Sequence, residues 1–173
     1  VYKSSPQVEI MSILELNTSL PMISQTKNSI NYFTPKASIR FNPGDMKDYN
    51  SSDRSINVDG IFDINRLAID DSFEEGKSIT LGLEYKKTEL NDINQFFEAK
   101  IATVYRNKNE KFIPSSSVIN SKESNIFGSV SNSLSKFMNI SYDFILDNDF
   151  NTLKYNSLNT SIDYKNLKTS FNF

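Results

Sequence analysis

The sequence contains no cysteine, no histidine and no tryptophan. Without cysteine the chain has no disulfide, no CxxC redox pair and no thiol nucleophile. Without histidine it has no Ser-His-Asp triad and no histidine-ligated zinc. These absences remove most enzyme templates, and adjacent acids such as Asp70-Asp71 and Glu74-Glu75 are usually solvated in turns. We therefore expect no enzyme activity, no catalytic residue, no metal site and no cofactor.

A strong charge of one sign is also missing. The 19 Lys and Arg residues nearly balance the 21 Asp and Glu residues, and both kinds are scattered along the chain. No basic face therefore indicates nucleic acid. No apolar run approaches the roughly 18 residues of a membrane-spanning helix. The sequence begins at Val1, without Met or a signal peptide, so we expect it to be a segment of a longer protein.

What the sequence does have is alternation of apolar and polar residues with period two, which predicts β-strands. The clearest example is residues 79–86, and further strands are predicted at residues 97–105, 126–134, 138–146, 158–164 and 167–173. The apolar sides of two of these strands are formed by Phe97, Ala99, Ile101, Thr103 and Tyr105, and by Met138, Ile140, Tyr142, Phe144 and Leu146.

Two upstream segments, residues 8–23 and 32–41, also have extended patterns. A strand is favoured there, although around Ile13, Leu14 and Leu16 the pattern would also suit a short helix. Pro35 and Pro43 are expected to mark strand ends. Turn-rich stretches separate the strands, with almost no helical window between them. The sequence therefore predicts an all-β antiparallel meander of about eight strands, with no separate second domain in residues 1–173.

Alternation alone does not separate a soluble sandwich from an outer-membrane barrel, because either has one apolar strand face. Three features favour the barrel. Tyrosines at 85, 105, 142 and 164 lie on apolar faces, predicted near strand ends, as at a membrane interface. The polar faces are rich in Ser, Asn, Thr and Lys. The apolar faces at residues 79–85 and 138–146 carry no charge, which at the bilayer midplane would cost roughly 2 to 4 kcal/mol.

An open sheet edge has unpaired N–H and C=O groups, and lipid offers them no water. The predicted sheet must therefore close or be completed by other strands. About eight strands would suffice for a small closed barrel, but the strands at both ends begin and stop abruptly. We therefore expect completion by further strands, with this sheet as part of a large transmembrane β-barrel in the outer membrane.

Several short motifs occur in a recognisable order. FDINRL at residues 62–67 is followed by Asp71, Glu74 and Gly76, and then by LGLEY at residues 81–85. This order resembles the LptD family of lipopolysaccharide-assembly barrels, whose signature runs F-S-x-N-R-F, D-R-x-E-x-G and G-L-x-Y. PKASIRFNP at residues 35–43, VYR at 104–106 and ESNIFG at 123–128 resemble further family motifs. Asp63, Leu67, Ser72 and Thr103 depart from the family pattern.

The resemblance implies an outer-membrane translocon that assembles lipopolysaccharide into the outer leaflet of the outer membrane. The partners it implies are lipopolysaccharide, an LptE-like lipoprotein plug in the lumen, an LptA-like periplasmic bridge that docks elsewhere on the protein, and membrane lipid. Under this interpretation Glu84, Lys86, Glu98, Lys100 and Asp143 line the lumen or contact the plug.

The candidate site residues are those of the family-motif loop, which is either structural or lumen-facing: Phe62, Asn65, Arg66, Asp71, Glu74 and Gly76. Asn65 is expected to bond backbone groups, and Arg66 to pair with Asp70, Asp71 or Glu74. A loop packed only for stability is the alternative.

Two rival functions remain at this point. A porin-like barrel would line a solute pore with charged residues. A soluble secreted β-sandwich or adhesin would bury the apolar strand faces within the protein.

Overall fold

The computed structural model describes residues 11–165 and 167–173. It consists of one antiparallel sheet of nine strands: β1 (Leu14–Ser19), β2 (Met22–Gln25), β3 (Ser29–Asn42), β4 (Gly76–Glu89), β5 (Asp92–Arg106), β6 (Ile126–Ser135), β7 (Met138–Leu146), β8 (Leu153–Tyr164) and β9 (Leu167–Asn172). From β3 onwards each strand pairs with the next, and β1 and β2 both pair with β3. The predicted all-β antiparallel meander is confirmed, with nine strands instead of about eight. Over the described residues the sheet is open.

The extra strand arises because the segment predicted at residues 8–23 is interrupted at Leu20 and Pro21. Residues 8–10 of that prediction lie outside the described residues. The alternative of a short helix is wrong for Leu16, which belongs to β1 and lies opposite Ile39 of β3.

Pro35 does not end a strand, as the sequence suggested, but lies within β3 opposite Leu83. Its carbonyl oxygen accepts a hydrogen bond from the N–H of Leu20 at 3.0 Å. The N and C=O of one strand residue face the same side, so the proline nitrogen faces the break between β1 and β2. The β3–β4 ladder therefore loses no bond. Pro43 follows the last residue of β3, as predicted.

The strand register gives the sheet one apolar face and one polar face. Leu83 lies between Pro35 and Ile101 on the apolar face, and Lys100 lies between Glu84 and Ser129 on the polar face. The apolar side chains are largely uncovered; Leu16, for example, is 67 % exposed and Leu81 46 %. Of the four tyrosines predicted near strand ends, Tyr105 and Tyr164 lie at the ends of β5 and β8. The prediction is wrong for Tyr142, in the middle of β7, and for Tyr85, because β4 continues to Glu89.

On the apolar face of β4 the side chains from Ile79 to Tyr85 are uncharged, and Lys77 and Lys87 border them on either side. On β7 the same face has no charged residue from Met138 to Leu146. A band of apolar residues bordered by charges has the pattern of a strand surface that contacts lipid. Among the described residues, no helix has the length and apolar character needed to cross a membrane.

The buried core lies on the other side of the sheet, between the polar-face side chains and the loops that cover them. Its members are Met46, Ile56, Val58, Ile61, Leu67, Ile69, Ala102, Val104, Ile113, Ile119, Phe127 and Ile145. Most of these residues come from two loops, residues 43–75 and 107–125. A sandwich would instead bury the apolar strand faces under a second sheet, and the described residues form only one sheet.

Candidate functional site

Two long connections fold back over the polar face of the sheet. The first loop, residues 43–75, joins β3 to β4, and the second loop, residues 107–125, joins β5 to β6. Backbone hydrogen bonds join the two loops, from Tyr49 N–H to Phe112 O at 3.0 Å and from Ser115 N–H to Asn50 O at 3.2 Å. Five of the six candidate site residues lie in the first loop, and Gly76 begins β4. We therefore take the paired loops and the strands beneath them as the candidate site.

Phe62 attaches the first loop to β4 through an aromatic ring that lies over Gly82. A Cβ atom at Gly82 would be 2.8 Å from Cζ of Phe62 and 3.2 Å from the carbonyl oxygen of Ile101. Any other residue at Gly82 would therefore push the ring away. The preceding Ile61 is fully buried in the core below the loop.

Asn65 holds the turn that presents Arg66. Its side-chain N–H donates to Ile69 O at 3.0 Å, and its side-chain oxygen accepts from Ile69 N–H at 3.1 Å. Ala68 lies inside this turn with φ of 50°, in the left-handed region that residues other than glycine rarely adopt. Closing the turn with two side-chain bonds offsets that backbone cost.

Arg66 forms a two-pronged ion pair with Glu74. Its Nε donates to Glu74 Oε2 at 2.6 Å, and its Nη2 donates to Glu74 Oε1. The three remaining N–H groups donate to Thr80 Oγ1 at 2.9 Å and Ser78 Oγ at 3.2 Å on β4, and to Ile61 O at 3.3 Å in the first loop. Of the three acids expected as partners, Glu74 is therefore the one that binds Arg66, in the strong bidentate geometry.

Arg106 approaches the same carboxylate from the end of β5. Its Nη2 donates to Glu74 Oε1, its Nη1 to Glu75 O at 3.0 Å, and its Nε to Ile119 O at 2.5 Å. One buried guanidinium thus ties β5 to both loops.

Arg40 joins the cluster from β3. Its Nη1 donates to Glu74 Oε2 at 3.1 Å, and its Nε donates to Glu15 Oε2 at 2.7 Å on β1. A further bond, from Nη2 to Asp63 O at 2.5 Å, reaches the first loop. We call the set Glu15, Arg40, Arg66, Glu74 and Arg106 the Glu74 cluster.

The cluster stabilises the ionised form of Glu74 although the residue is buried. Burial raises the pKa of this carboxyl, but the charges of Arg66 and Arg106 outweigh burial and bring the pKa down from 4.5 to about 2. Glu74 therefore stays negative over the ordinary pH range. Its charge is compensated by hydrogen bonds from three arginines, as a buried ion requires.

The two other candidate residues have different surroundings. Asp71 is exposed and accepts hydrogen bonds from Tyr49 and, at 3.0 Å, from Lys47; these two bonds lower its pKa. Gly76 has φ of 83°, and a Cβ atom there would overlap the carboxylate of Glu110. Gly76 is thus the residue whose small size lets the second loop pack against the start of β4.

Below the loops a row of paired charges crosses the polar face. Lys36 Nζ lies 2.5 Å from Glu84 Oε2, while Lys100 Nζ lies 2.7 Å from Asp59 Oδ1 and 3.1 Å from Glu98 Oε2. Asp59 belongs to the first loop, so the row also anchors that loop to β5.

Beyond the loops the polar face of β6–β9 is mostly neutral. Its charged residues are Asp143, which lies between Ser129 and Ser157, and the paired Asp163 and Lys168. Most of the other side chains of this face carry hydroxyl or amide groups over four strands: Ser129, Ser131, Ser133, Asn139, Ser141, Ser157, Asn159, Ser161, Ser170 and Asn172. Such a surface offers many hydrogen-bond donors and acceptors and little charge.

Sequence reasoning identified Arg66 and Glu74 but missed the other members of their cluster. Arg40 and Arg106 stood in motifs quoted for the family resemblance, yet nothing in one sequence links them to Glu74 across the strands. Nothing in the sequence distinguished Glu15 from the other polar residues of its predicted strand. A polar-face arginine at the end of a strand beside a long loop is the pattern that could have pointed to Arg106.

A comparison with protein-family models matches residues 3–173 to LptD, described as LPS transport system D. No curated protein matches the chain.

Proposed function

The chain belongs to the LptD family, and on this basis we propose that it forms part of the wall of an outer-membrane translocon that places lipopolysaccharide in the outer leaflet. The observation that carries the proposal is the family match over residues 3–173. An uncharged apolar face backed by a polar one supports a place in the outer-membrane wall.

Residues 1–173 would then be one segment of a larger barrel, without a second domain. The edge strands β1, β2 and β9 have unpaired backbone groups on one side over the described residues. In lipid such groups need partners, so further strands would pair with both edges.

The first and second loops would lie inside the barrel, because they cover the polar face. Barrels of this class have short turns on the periplasmic side and longer loops outside. The two loops would therefore narrow the lumen near its outer end, with the six motif residues serving to hold them there. This role is structural: the cluster's charges bond one another.

The neutral surface of β6–β9 would face the lumen beside the loops. Its hydroxyl and amide groups suit contact with a polar partner such as an LptE-like plug or the sugars of lipopolysaccharide. An LptA-like bridge would dock on another part of the protein.

The proposal is tested in cells depleted of their own copy of the complete protein. Re-expression of the wild type should restore newly made lipopolysaccharide at the cell surface, measured by an antibody on intact cells. A barrel that assembles but leaves surface lipopolysaccharide at the depleted level would contradict the proposal.

A porin-like channel is the second candidate, since the row of Lys36, Glu84, Lys100 and Glu98 resembles the charged ring of a solute pore. The same cells distinguish the two functions. A porin would restore uptake of a small charged solute and leave lipopolysaccharide delivery unchanged.

A further inference from the structure

Two buried glutamates meet where the second loop packs against the start of β4. Glu75 is 9 % exposed and Glu110 is 3 % exposed. Glu75 ends the first loop, and Glu110 belongs to the second, where its N–H donates to Asn120 O at 2.8 Å. Neither residue belongs to the Glu74 cluster, and the role proposed above for the loops does not use them.

One oxygen of this pair has no partner. Glu110 Oε2 lies 3.2 Å from Lys108 Nζ, but Glu110 Oε1 is buried without a hydrogen bond among the described residues. On the other glutamate, Oε2 accepts from Met46 N–H at 3.3 Å. The Glu75 carboxyl is also within hydrogen-bonding reach of Glu110. Glu110 Oε1 lies against the position that a Cβ atom of Gly76 would occupy, and Gly76 directly follows Glu75, so the free oxygen lies beside the end of the first loop.

We propose that Glu75 and Glu110 form a two-carboxylate site that binds one proton, and that this shared proton joins the second loop to the first. Two adjacent buried carboxylates repel each other when both are ionised. With one proton between them, an O–H group of one glutamate donates to the free oxygen of the other, and this class of hydrogen bond is short and strong.

The pKa of Glu75 agrees with this geometry. Burial raises it, the Met46 N–H opposes that rise, and the bond and charge of Glu110 raise it further. Because the pKa in the folded state lies above the ordinary value, the link is complete at low pH and is lost as the pH rises through the raised pKa.

The charged groups that face the pair come from the second loop and from β5. In the second loop, Lys108 forms an ion pair with Glu110. Arg106 donates from β5 to the backbone oxygen of Glu75 and to the side chain of Glu74, which holds its charge in the neighbouring cluster.

A proton fits this site better than a metal ion. Calcium takes six to eight oxygen ligands. The described residues contain no cluster of three or more acids suited to a metal. The Lys108 ammonium group would also repel a cation beside Glu110.

The direct test is infrared spectroscopy of the complete folded protein in detergent, titrated with base. A carboxylic-acid C=O band should persist above the pH at which exposed carboxyls ionise. It should disappear in Glu110→Gln and remain in Glu123→Gln, a matched control at an exposed position of the same loop. Ionisation of every carboxyl in the ordinary range would overturn the proposal, as would loss of the band on adding calcium.

Hydrogen exchange of the second loop gives a second readout. In the wild type, the exchange rate of the backbone amides in the second loop is corrected for its intrinsic pH dependence. This corrected rate should become about tenfold faster once the shared proton is lost. In Glu75→Gln the amide N–H replaces the proton as donor to Glu110, so this acceleration should be absent. If Glu75→Gln accelerates like the wild type, the proton does not join the loops. Should one variant fail to fold, the other decides protonation, because the carboxylic-acid band should disappear in Glu75→Gln as well as in Glu110→Gln.

Discussion

At the scale of single residues, Glu74 determines how the first loop is held. Arg40, Arg66 and Arg106 come from β3, the loop itself and β5, and all three donate to its carboxylate. Removing one partner of a buried ion network leaves the other charges buried without a counter-charge. This loss destabilises the fold by more than the intact network stabilises it relative to apolar residues of similar size.

The substitution Glu74→Gln should therefore release the first loop while leaving the sheet paired. We expect a loss of about 3 to 5 kcal/mol in the local opening free energy, because three buried guanidinium groups lose their shared anion. Hydrogen exchange of residues 43–75 measures this loss. Asp71→Asn is the matched control, since Asp71 is exposed in the same loop and should change exchange little. Equal effects of the two substitutions would contradict the role given to Glu74.

The attachment of the first loop should also depend on pH in acid. The pKa of Glu74 is lowered from 4.5 to about 2. Its stabilisation, roughly 3 kcal/mol, is therefore present above the ordinary pKa and is lost as the pH falls through about 2. Limited digestion with an acid-stable protease should therefore cut the first loop progressively faster as the pH falls from about 4.5 to about 2. A cutting rate that does not change over this range, corrected for the protease's own pH dependence, would show that Glu74 has an ordinary pKa.

Residue types and short motifs predicted part of this site. Arg66 and Glu74 are eight positions apart, so a local ion pair was foreseeable. The contributions of Arg40, Glu15 and Arg106 depend on strand register and on loops folding back over the sheet, and one sequence specifies neither. Gly76 was selected by motif, while the physical need for glycine there comes from Glu110, 34 positions later.

At the scale of elements, the period-two pattern located the strands because each has chemically distinct sides. It failed where the backbone departs from regular geometry. Pro21 divides one predicted strand into β1 and β2, and Pro35 stays inside β3 because its nitrogen faces that break. The pattern also cannot show how far a loop folds back, so the core under the first and second loops was not predicted.

The contact between the first loop and β4 is testable at Gly82. The substitution Gly82→Val should destabilise the packed loop by about 1 to 3 kcal/mol, because the new side chain overlaps the Phe62 ring. A double-mutant cycle with Phe62→Ala measures the coupling free energy between the two positions. The stability of the loop in each variant is measured by urea titration with a fluorescent label on the loop. If the clash is the cause, Gly82→Val should cost much less in the Phe62→Ala background. Fully additive effects would place the cause elsewhere.

At the scale of the whole molecule, the core and the exposed surface are arranged in the reverse of a soluble sandwich. The apolar strand face is uncovered, and the buried core lies between loops and the polar face. This arrangement is stable only if something apolar covers the outer face and something polar or aqueous fills the other side. A membrane wall meets both conditions, and the LptD family supplies the biological setting.

The measurement that tests this arrangement most directly is cysteine labelling along β7, compared with the unsubstituted protein as a control; residues 1–173 contain no cysteine of their own. Single cysteines at residues 138–143 of the complete protein in membranes would be treated with a water-soluble maleimide and, separately, with a lipid-phase reagent. Cysteines replacing Asn139, Ser141 and Asp143 should react with the first reagent, and those replacing Met138, Ile140 and Tyr142 with the second. Uniform reaction with the water-soluble reagent, or no alternation, would contradict a membrane wall.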